Sequence, residues 1–319
     1  MSSRCVVALD VGGTHIKACV MDEDGSLLHT ERRDTGAGRG PDAVLETVLG
    51  YAADLAGRYE PSAVGIVVPG VIDEASGTVV LAANLGWRDV PIRQWLTDEL
   101  DLPVAFGHDV RAGGMAEARL GAGRDSRSFL FVPVGTGIAA AVVLDGRVLL
   151  GGHGSAGELG HLVVRPGGDL CPCGNRGCLE TIASASAIAR RYRQATGDAD
   201  ATAEEVLRRS EAGDTTAVEV WRDAVDALAD GLSTAVTLVD PGRIVIGGGL
   251  VRAGEPYLGP LRAALAERLT FQTAPAVVPA ELGHQAGCLG AALLARDLCR
   301  SRSAQPGIGP RRARRWESV

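Results

Sequence analysis

A chain of 319 residues, 46% of them hydrophobic, can bury enough apolar surface for two lobes of ordinary size. Its formal charge of −7 excludes broad electrostatic attraction to nucleic acid or anionic membranes, local basic patches aside. The first apolar run is broken by Asp10 and Gly12, so it reads as neither a signal peptide nor a membrane span, and a cytoplasmic protein is expected.

Residues 4–9 form a β-branched apolar run that reads as a buried strand ending on Asp10-Val11-Gly12-Gly13-Thr14. A dinucleotide-binding fold or a P-loop would place a helix next. Here Ile16, Ala18 and Val20 alternate strictly instead, which predicts strand, Gly turn, strand: a hairpin whose backbone N–H groups could cradle a phosphate. In that pattern His15 is as well suited to pointing outward as to touching a ligand, and Lys17 does not read as a P-loop lysine. Lys17 is the only lysine in the chain, a compositional bias towards Arg. A third antiparallel strand is expected over 27–32.

Helical spacing over 41–58, with Pro41 suited to a first turn, precedes a buried strand at 63–68. Asn84 is a candidate for contact with a ligand, whereas Trp87 reads as packing. A helix over 92–100 leads to a strand at 104–106 that runs into Gly107-His108-Asp109. Strand-to-loop transitions of this kind are where α/β proteins bind ligands, which makes Asp109 a positioned carboxylate. Its alternative is a helix N-cap before 110–120.

The strand, Gly/Thr turn and strand pattern recurs at 129–144 around Gly135-Thr136-Gly137, closed by Asp145-Gly146, so the chain reads as two related halves. Next comes HLVVRPGGDLCPCGNRGCLE, residues 161–180. His161, Cys171, Cys173 and Cys178 supply four soft or borderline ligands among Pro and Gly, the donor set of a closed structural Zn2+ site. Buried thiols or a disulfide are the alternative. The remaining four of seven cysteines, Cys5, Cys19, Cys288 and Cys299, sit in apolar settings that suit free thiols in a reducing compartment. Glu158 and Glu180 flank the metal loop, where a stapled loop could hold them for a ligand; otherwise they are surface carboxylates. Helices are expected over 184–196, 203–212, 215–239, 260–269 and 286–298. A strand at 243–246 runs into a third cluster, Gly247-Gly248-Gly249. The tail from 301, rich in Arg, Pro and Gly, has no periodicity and reads as disordered.

Taken together, DVGGT, the later GTG and GELGH…CPCGNRGCLE resemble the ROK family of bacterial sugar kinases and repressors, over nearly the whole chain. The resemblance implies an α/β, two-lobed actin-like/hexokinase (ribonuclease H-like) ATPase fold: a lobe of residues 1–114 completed by helix 286–300, and a larger lobe of 115–285 carrying the zinc loop. By the same resemblance Asp109 is the catalytic base, and Glu158, His161 and Glu180 bind sugar, His161 doubling as a zinc ligand. Asp10, Gly12, Gly13 and Thr14 form the first phosphate motif, Gly135, Thr136 and Gly137 the second, and Gly247, Gly248 and Gly249 lie near adenosine. A homo-oligomer, dimer or tetramer, is also implied. Two departures stand out. His108 replaces the Asn that usually precedes the catalytic Asp, and Ala139 and Ala140 replace glycines after the second turn.

The expected chemistry is phosphoryl transfer from ATP to a hexose, glucose foremost, at its 6-hydroxyl, with Asp109 taking the proton and Asp10 helping to hold hydrated Mg2+. Mannose, N-acetylmannosamine, N-acetylglucosamine, fructose and allose are alternative sugars, and polyphosphate an alternative donor. A non-catalytic sugar-binding protein is a further alternative. A repressor is disfavoured, since a first core strand at about residue 4 leaves no room for an added helix-turn-helix.

Overall fold

The computed structural model describes residues 5–303. Arg4, expected to open the first strand, and residues 304–319 of the expected tail lie outside them.

Two five-stranded mixed sheets organise the chain, and each starts from an antiparallel hairpin. In the first, β1 (Cys5–Val11) pairs with β2 (His15–Asp22), with Asp10 opposite Lys17, and β3 (Leu27–Asp34) extends the hairpin outward. Strands β4 (Ala63–Val68) and β8 (Val104–His108) then add in parallel on the other side of β1. All seven β1 residues are buried because both faces of the sheet are covered. Val7, Leu9 and Val11 pack with Val44, Val48, Tyr51 and Leu55 of α1 (Pro41–Tyr59). Val6 and Ala8 pack with Cys288, Leu289 and Ala292 of the last helix, α9 (Ala286–Ser303). The C-terminal helix thus returns to the sheet formed by the N-terminus, and it stays helical to Ser303, past residue 301 where the tail was expected to begin.

The second sheet runs β11-β10-β9-β12-β13, with β9 (Ser128–Pro133), β10 (Ala141–Leu144), β11 (Arg147–Val148), β12 (Arg243–Gly247) and β13 (Ala276–Pro279). Its largest core is built with α5 (Ala185–Thr196), α6 (Ala203–Glu211), α7 (Thr215–Val239) and α8 (Glu255–Arg268). Helix α3 (Asp109–Leu120) packs on α9 and reaches β9 and β10 of this sheet.

Two expectations need correction, and one small sheet was unforeseen. The second hairpin was expected to resume at residue 138, but only a Val134–Ile138 bridge forms and the ladder starts at Ala141. Between them Ala140 N–H is taken by the Gly157 carbonyl at 2.7 Å, so this stretch pairs with the loop carrying Glu158. Helix α8 starts at Glu255, not at Pro260; Pro256 sits in its first turn and Pro260 is internal. A small antiparallel sheet, β5 (Val71–Asp73), β6 (Thr78–Ala82) and β7 (Trp87–Val90), was not anticipated, because strands of three to five residues between Gly and Asp turns carry too little alternation to read. Helix α2 (Ile92–Leu100) follows it. Trp87 packs as expected: it is buried and donates from Nε1 to the Pro41 carbonyl at 3.1 Å. No helix among the described residues is long and apolar enough to cross a membrane.

Candidate active site

The hairpin turn after β1 is closed by Gly12 N–H donating to the His15 carbonyl at 3.0 Å. It is clamped from behind by Thr35, fully buried, whose hydroxyl donates to Gly12 O at 2.6 Å and whose N–H donates to Thr14 O at 2.9 Å. Thr14 itself is exposed at the tip. Asn84 stands against this turn, since a methyl group on Gly13 would lie 3.2 Å from its Cβ. Asp10 is buried at the end of β1 and accepts from Lys17 Nζ at 3.2 Å. Burial raises its carboxyl pKa, against the pull of Lys17. The start of α9 approaches so closely that a Cβ at Gly287 would sit 2.7 Å from Asp10 Oδ2, which only glycine accommodates.

Two strands away, β8 hands over to α3 through His108 and Asp109. His108, not Asp109, caps the helix: its Nδ1 accepts from Val110 N–H at 3.2 Å. The same Nδ1 also lies 3.2 Å from Asp109 Oδ1. Burial, and then the neighbouring Arg111, push the His108 pKa down to about 4, so the ring is neutral at pH 7. Asp109 begins the helix, with Oδ1 accepting from Val110 N–H at 2.7 Å and its side chain 29% exposed. Burial raises its carboxyl pKa, opposed by that N–H bond, Lys17 and Arg111. An ionisable carboxylate with a raised pKa at a strand end is equipped to accept a proton.

Arg111 went unnoticed in the sequence. It is buried in the first turn of α3, binds Glu74 Oε1 through Nε at 3.0 Å and Nη2 at 2.8 Å, and donates from Nη1 to the Gly154 carbonyl at 2.7 Å. One guanidinium therefore ties the β5–β6 turn to the loop leading to Glu158. Its only sequence signal was an Arg two residues after the candidate base.

Glu158 lies near enough to His108 to favour its charged form, and its Oε2 is 3.8 Å from His161 Nε2. On the other side of that ring, Nδ1 lies 3.6 Å from Cys171 Sγ and 3.6 Å from Glu180 Oε1. Glu180 opens the single-turn helix α4 (Glu180–Ala183), with Oε1 3.3 Å from Cys171 Sγ, and its other oxygen would lie 3.0 Å from a Cβ on Gly137. The two carboxylates thus bracket His161.

The ligand atoms of His161, Cys171, Cys173 and Cys178 all lie within 4.8 Å of one another. The Cys173–Cys178 sulfurs are 3.7 Å apart and Cys171 Sγ is 3.6 Å from His161 Nδ1. A tetrahedron with metal–sulfur bonds of about 2.3 Å and metal–nitrogen bonds of about 2.0 Å has edges of about 3.5–3.8 Å, so the donor set fits a zinc ion. Arg165, inside the loop, anchors it to α7 by an ion pair from Nη1 to Asp230 at 2.6 Å.

The remaining Gly clusters lie side by side in the second sheet. Val134 N–H donates to Gly247 O at 3.0 Å, and Gly248 takes φ 94° with the Val134 carbonyl 1.9 Å from where a Cβ would sit. Gly135 N–H closes the turn on Gly137 O at 3.0 Å, and Gly135 O accepts from Ala185 N–H at 2.9 Å, leaving Thr136 exposed. Gly249 faces Glu204. The structure therefore gathers Asp10, Lys17 and Asp109 into one electrostatic group, and His108, Glu158, His161 and Glu180 into a second that meets it at His108.

Two α/β lobes, Gly turns at the strand ends and a carboxylate poised at a helix start define the two-lobed actin-like sugar-kinase fold. The family model described as "ROK family" matches residues 6–298, and the chain belongs to that family. A glucokinase from Thermotoga maritima is 33% identical over 308 residues, covering 92% of this chain and 97% of that protein. An N-acetylmannosamine kinase from Citrobacter koseri is 34% identical over 292 residues, covering 91% and 98%. The crystal structure of a ROK family glucokinase from Streptomyces griseus in complex with glucose and AMPPNP superimposes with a TM-score of 0.81 at 31% identity, covering 92% of this chain and 99% of that one. The protein is a sugar kinase.

Proposed function

We propose that the protein transfers the γ-phosphoryl group of ATP to the 6-hydroxyl of a hexose, glucose foremost, with Asp109 as general base. The observation that carries this reading is the placement of Asp109: a carboxylate with a raised pKa at the start of α3, between the Asp10–Lys17 pair and the His108–Glu158 group. Asp109 takes the hydroxyl proton as the sugar oxygen bonds to the γ-phosphorus; the bond from that phosphorus to the bridging oxygen breaks, and ADP leaves with the electron pair. The backbone N–H groups of Gly13 and Thr14 in the first turn and of Thr136 and Gly137 in the second position the phosphates, and Gly247–Gly249 border the nucleoside.

Sugar hydroxyls are received by Glu158, Glu180 and His161, with Asn84 beside the first turn. His108 offers its imidazole to a hydroxyl that the family's usual Asn would serve with an amide. Asp10 is suited to holding hydrated Mg2+, since its Oδ1 has no hydrogen-bond partner among the described residues. His161, Cys171, Cys173 and Cys178 hold structural zinc. When bound, Mg2+ would neutralise phosphate charge and zinc would stiffen the loop.

Coupled ADP release measured with glucose, mannose, N-acetylmannosamine, N-acetylglucosamine, fructose and allose tests the reading. Glucose should give the highest kcat/KM. A higher value with another sugar would reassign the substrate, and absence of stimulation by every sugar would remove the hexose-kinase assignment.

A further inference from the structure

We propose that Lys17 is a catalytic residue whose ammonium binds the transferring phosphoryl group, held in place by Asp10. The inference rests on the kinase reading above and adds a cationic partner that the motifs of the sequence did not assign.

The placement comes first. Lys17 faces Asp10 directly across the β1–β2 ladder and meets it at 3.2 Å. Its charge also favours the ionised form of Asp109, so one ammonium acts on both carboxylates of the catalytic group. The chemistry of the residue points the same way. Every other basic residue among the 32 Lys and Arg is an arginine, yet this position keeps a compact, rotatable point charge with three donors. That suits a phosphoryl group whose charge is spread over three oxygens.

A purely structural role explains less. The ladder around the pair runs unbroken from Cys5–Asp22 to Val11–Ile16 without needing a side-chain link. A half-buried ion pair gains little net stability after desolvation.

The surroundings add an independent observation. Lys17 is 36% exposed and opens on a cavity of about 240 Å³ lined also by His15, Arg32, His284, Gln285 and Glu31. Glu31 does not neutralise that lining, because its oxygens are engaged by His29, Arg33 and Arg58. The free face of Lys17 and the neighbouring Arg32 give this cavity basic side chains that an anionic occupant could meet. In the reaction Lys17 N–H groups donate to non-bridging oxygens of the phosphoryl group as it passes from ADP to the sugar oxygen. Lys17 keeps its protons; the hydroxyl proton goes to Asp109.

The test compares wild type, Lys17→Met and Lys17→Arg in the full chain, each loaded with zinc. The kcat of glucose-stimulated ADP release should fall about 10²–10³-fold in Lys17→Met, the usual cost of one transition-state donor, with partial recovery in Lys17→Arg. Calorimetric titration should show AMPPNP bound at least about tenfold more weakly by Lys17→Met, with ADP and glucose affinities unchanged, because only the terminal phosphate is lost as a contact. Turnover and AMPPNP affinity that match wild type would overturn the proposal. So would equal weakening of AMPPNP, ADP and glucose accompanied by a lower Tm, the signature of structural damage. If wild type itself shows no sugar-stimulated release, the kinase reading fails, and the AMPPNP-against-ADP comparison still decides the role of Lys17.

Discussion

His161 faces Glu158 with one ring nitrogen and the sulfur cluster with the other: Nε2 lies 3.8 Å from Glu158 Oε2, and Nδ1 lies 3.6 Å from Cys171 Sγ. A ligand on Nδ1 would therefore fix the orientation of Nε2 towards Glu158, the pair proposed above to receive a sugar. This is how a metal that does no chemistry can govern affinity for a sugar.

Metal removal should accordingly weaken sugar binding as well as the fold. Elemental analysis should find about one zinc per chain, and stripping it, or replacing Cys178 by Ser, should lower Tm and weaken glucose binding about 10–100-fold. Arg165 still ties the loop to Asp230, so the protein should remain folded. Unchanged Tm and glucose affinity after complete zinc removal would contradict the coupling.

Acid sensitivity should trace to His108. Its folded pKa of about 4 lies below the unfolded value of 6.5, so its contribution is fully present above pH 6.5 and is lost as pH falls towards 4. That difference amounts to at most about 3 kcal/mol. His108→Asn should remove this part of the pH dependence, so that the gap in stability between pH 7 and pH 4.5 is smaller in the variant when both are unfolded in urea. Identical pH profiles would show that burial does not hold the ring neutral.

Much of this architecture was legible from periodicity. The strict alternation of Ile16, Ala18 and Val20 separated a hairpin from a P-loop helix, and Cys171, Cys173, Cys178 and His161 lay close enough in sequence for ligand spacing to be read. The rest depended on long-range contacts that leave no local trace. Arg111 meets Glu74 and Gly154, 37 and 43 positions away, and Thr35 clamps Gly12 from 23 positions away. Lys17 was set aside because its strand context spoke against a P-loop, yet the same alternation turns it towards Asp10. Residues 138–140 were read as strand because their apolar pattern is that of a strand; the Gly157 carbonyl, which claims Ala140 N–H, competes with the ladder from outside the segment.

Arg111 should affect sugar recognition without touching sugar. Arg111→Met leaves the Gly154 carbonyl without its donor and frees Glu74, at a stability cost of about 1–3 kcal/mol. Because the loop to Glu158 loses an anchor, KM for glucose should rise about tenfold while kcat changes less, as steady-state kinetics would reveal. A fall in kcat with KM unchanged would place Arg111 in the chemical step instead.

The most direct test of the account is glucose-stimulated ADP release by Asp109→Asn, compared with wild type from pH 5 to 9. The account predicts that turnover falls by at least about 10²–10⁴-fold while glucose affinity, zinc content and Tm are retained. In wild type the acid limb of kcat/KM should lie above the ordinary carboxylate range, since burial raises the Asp109 pKa and the base works only when ionised. Near-normal turnover by Asp109→Asn would contradict the account.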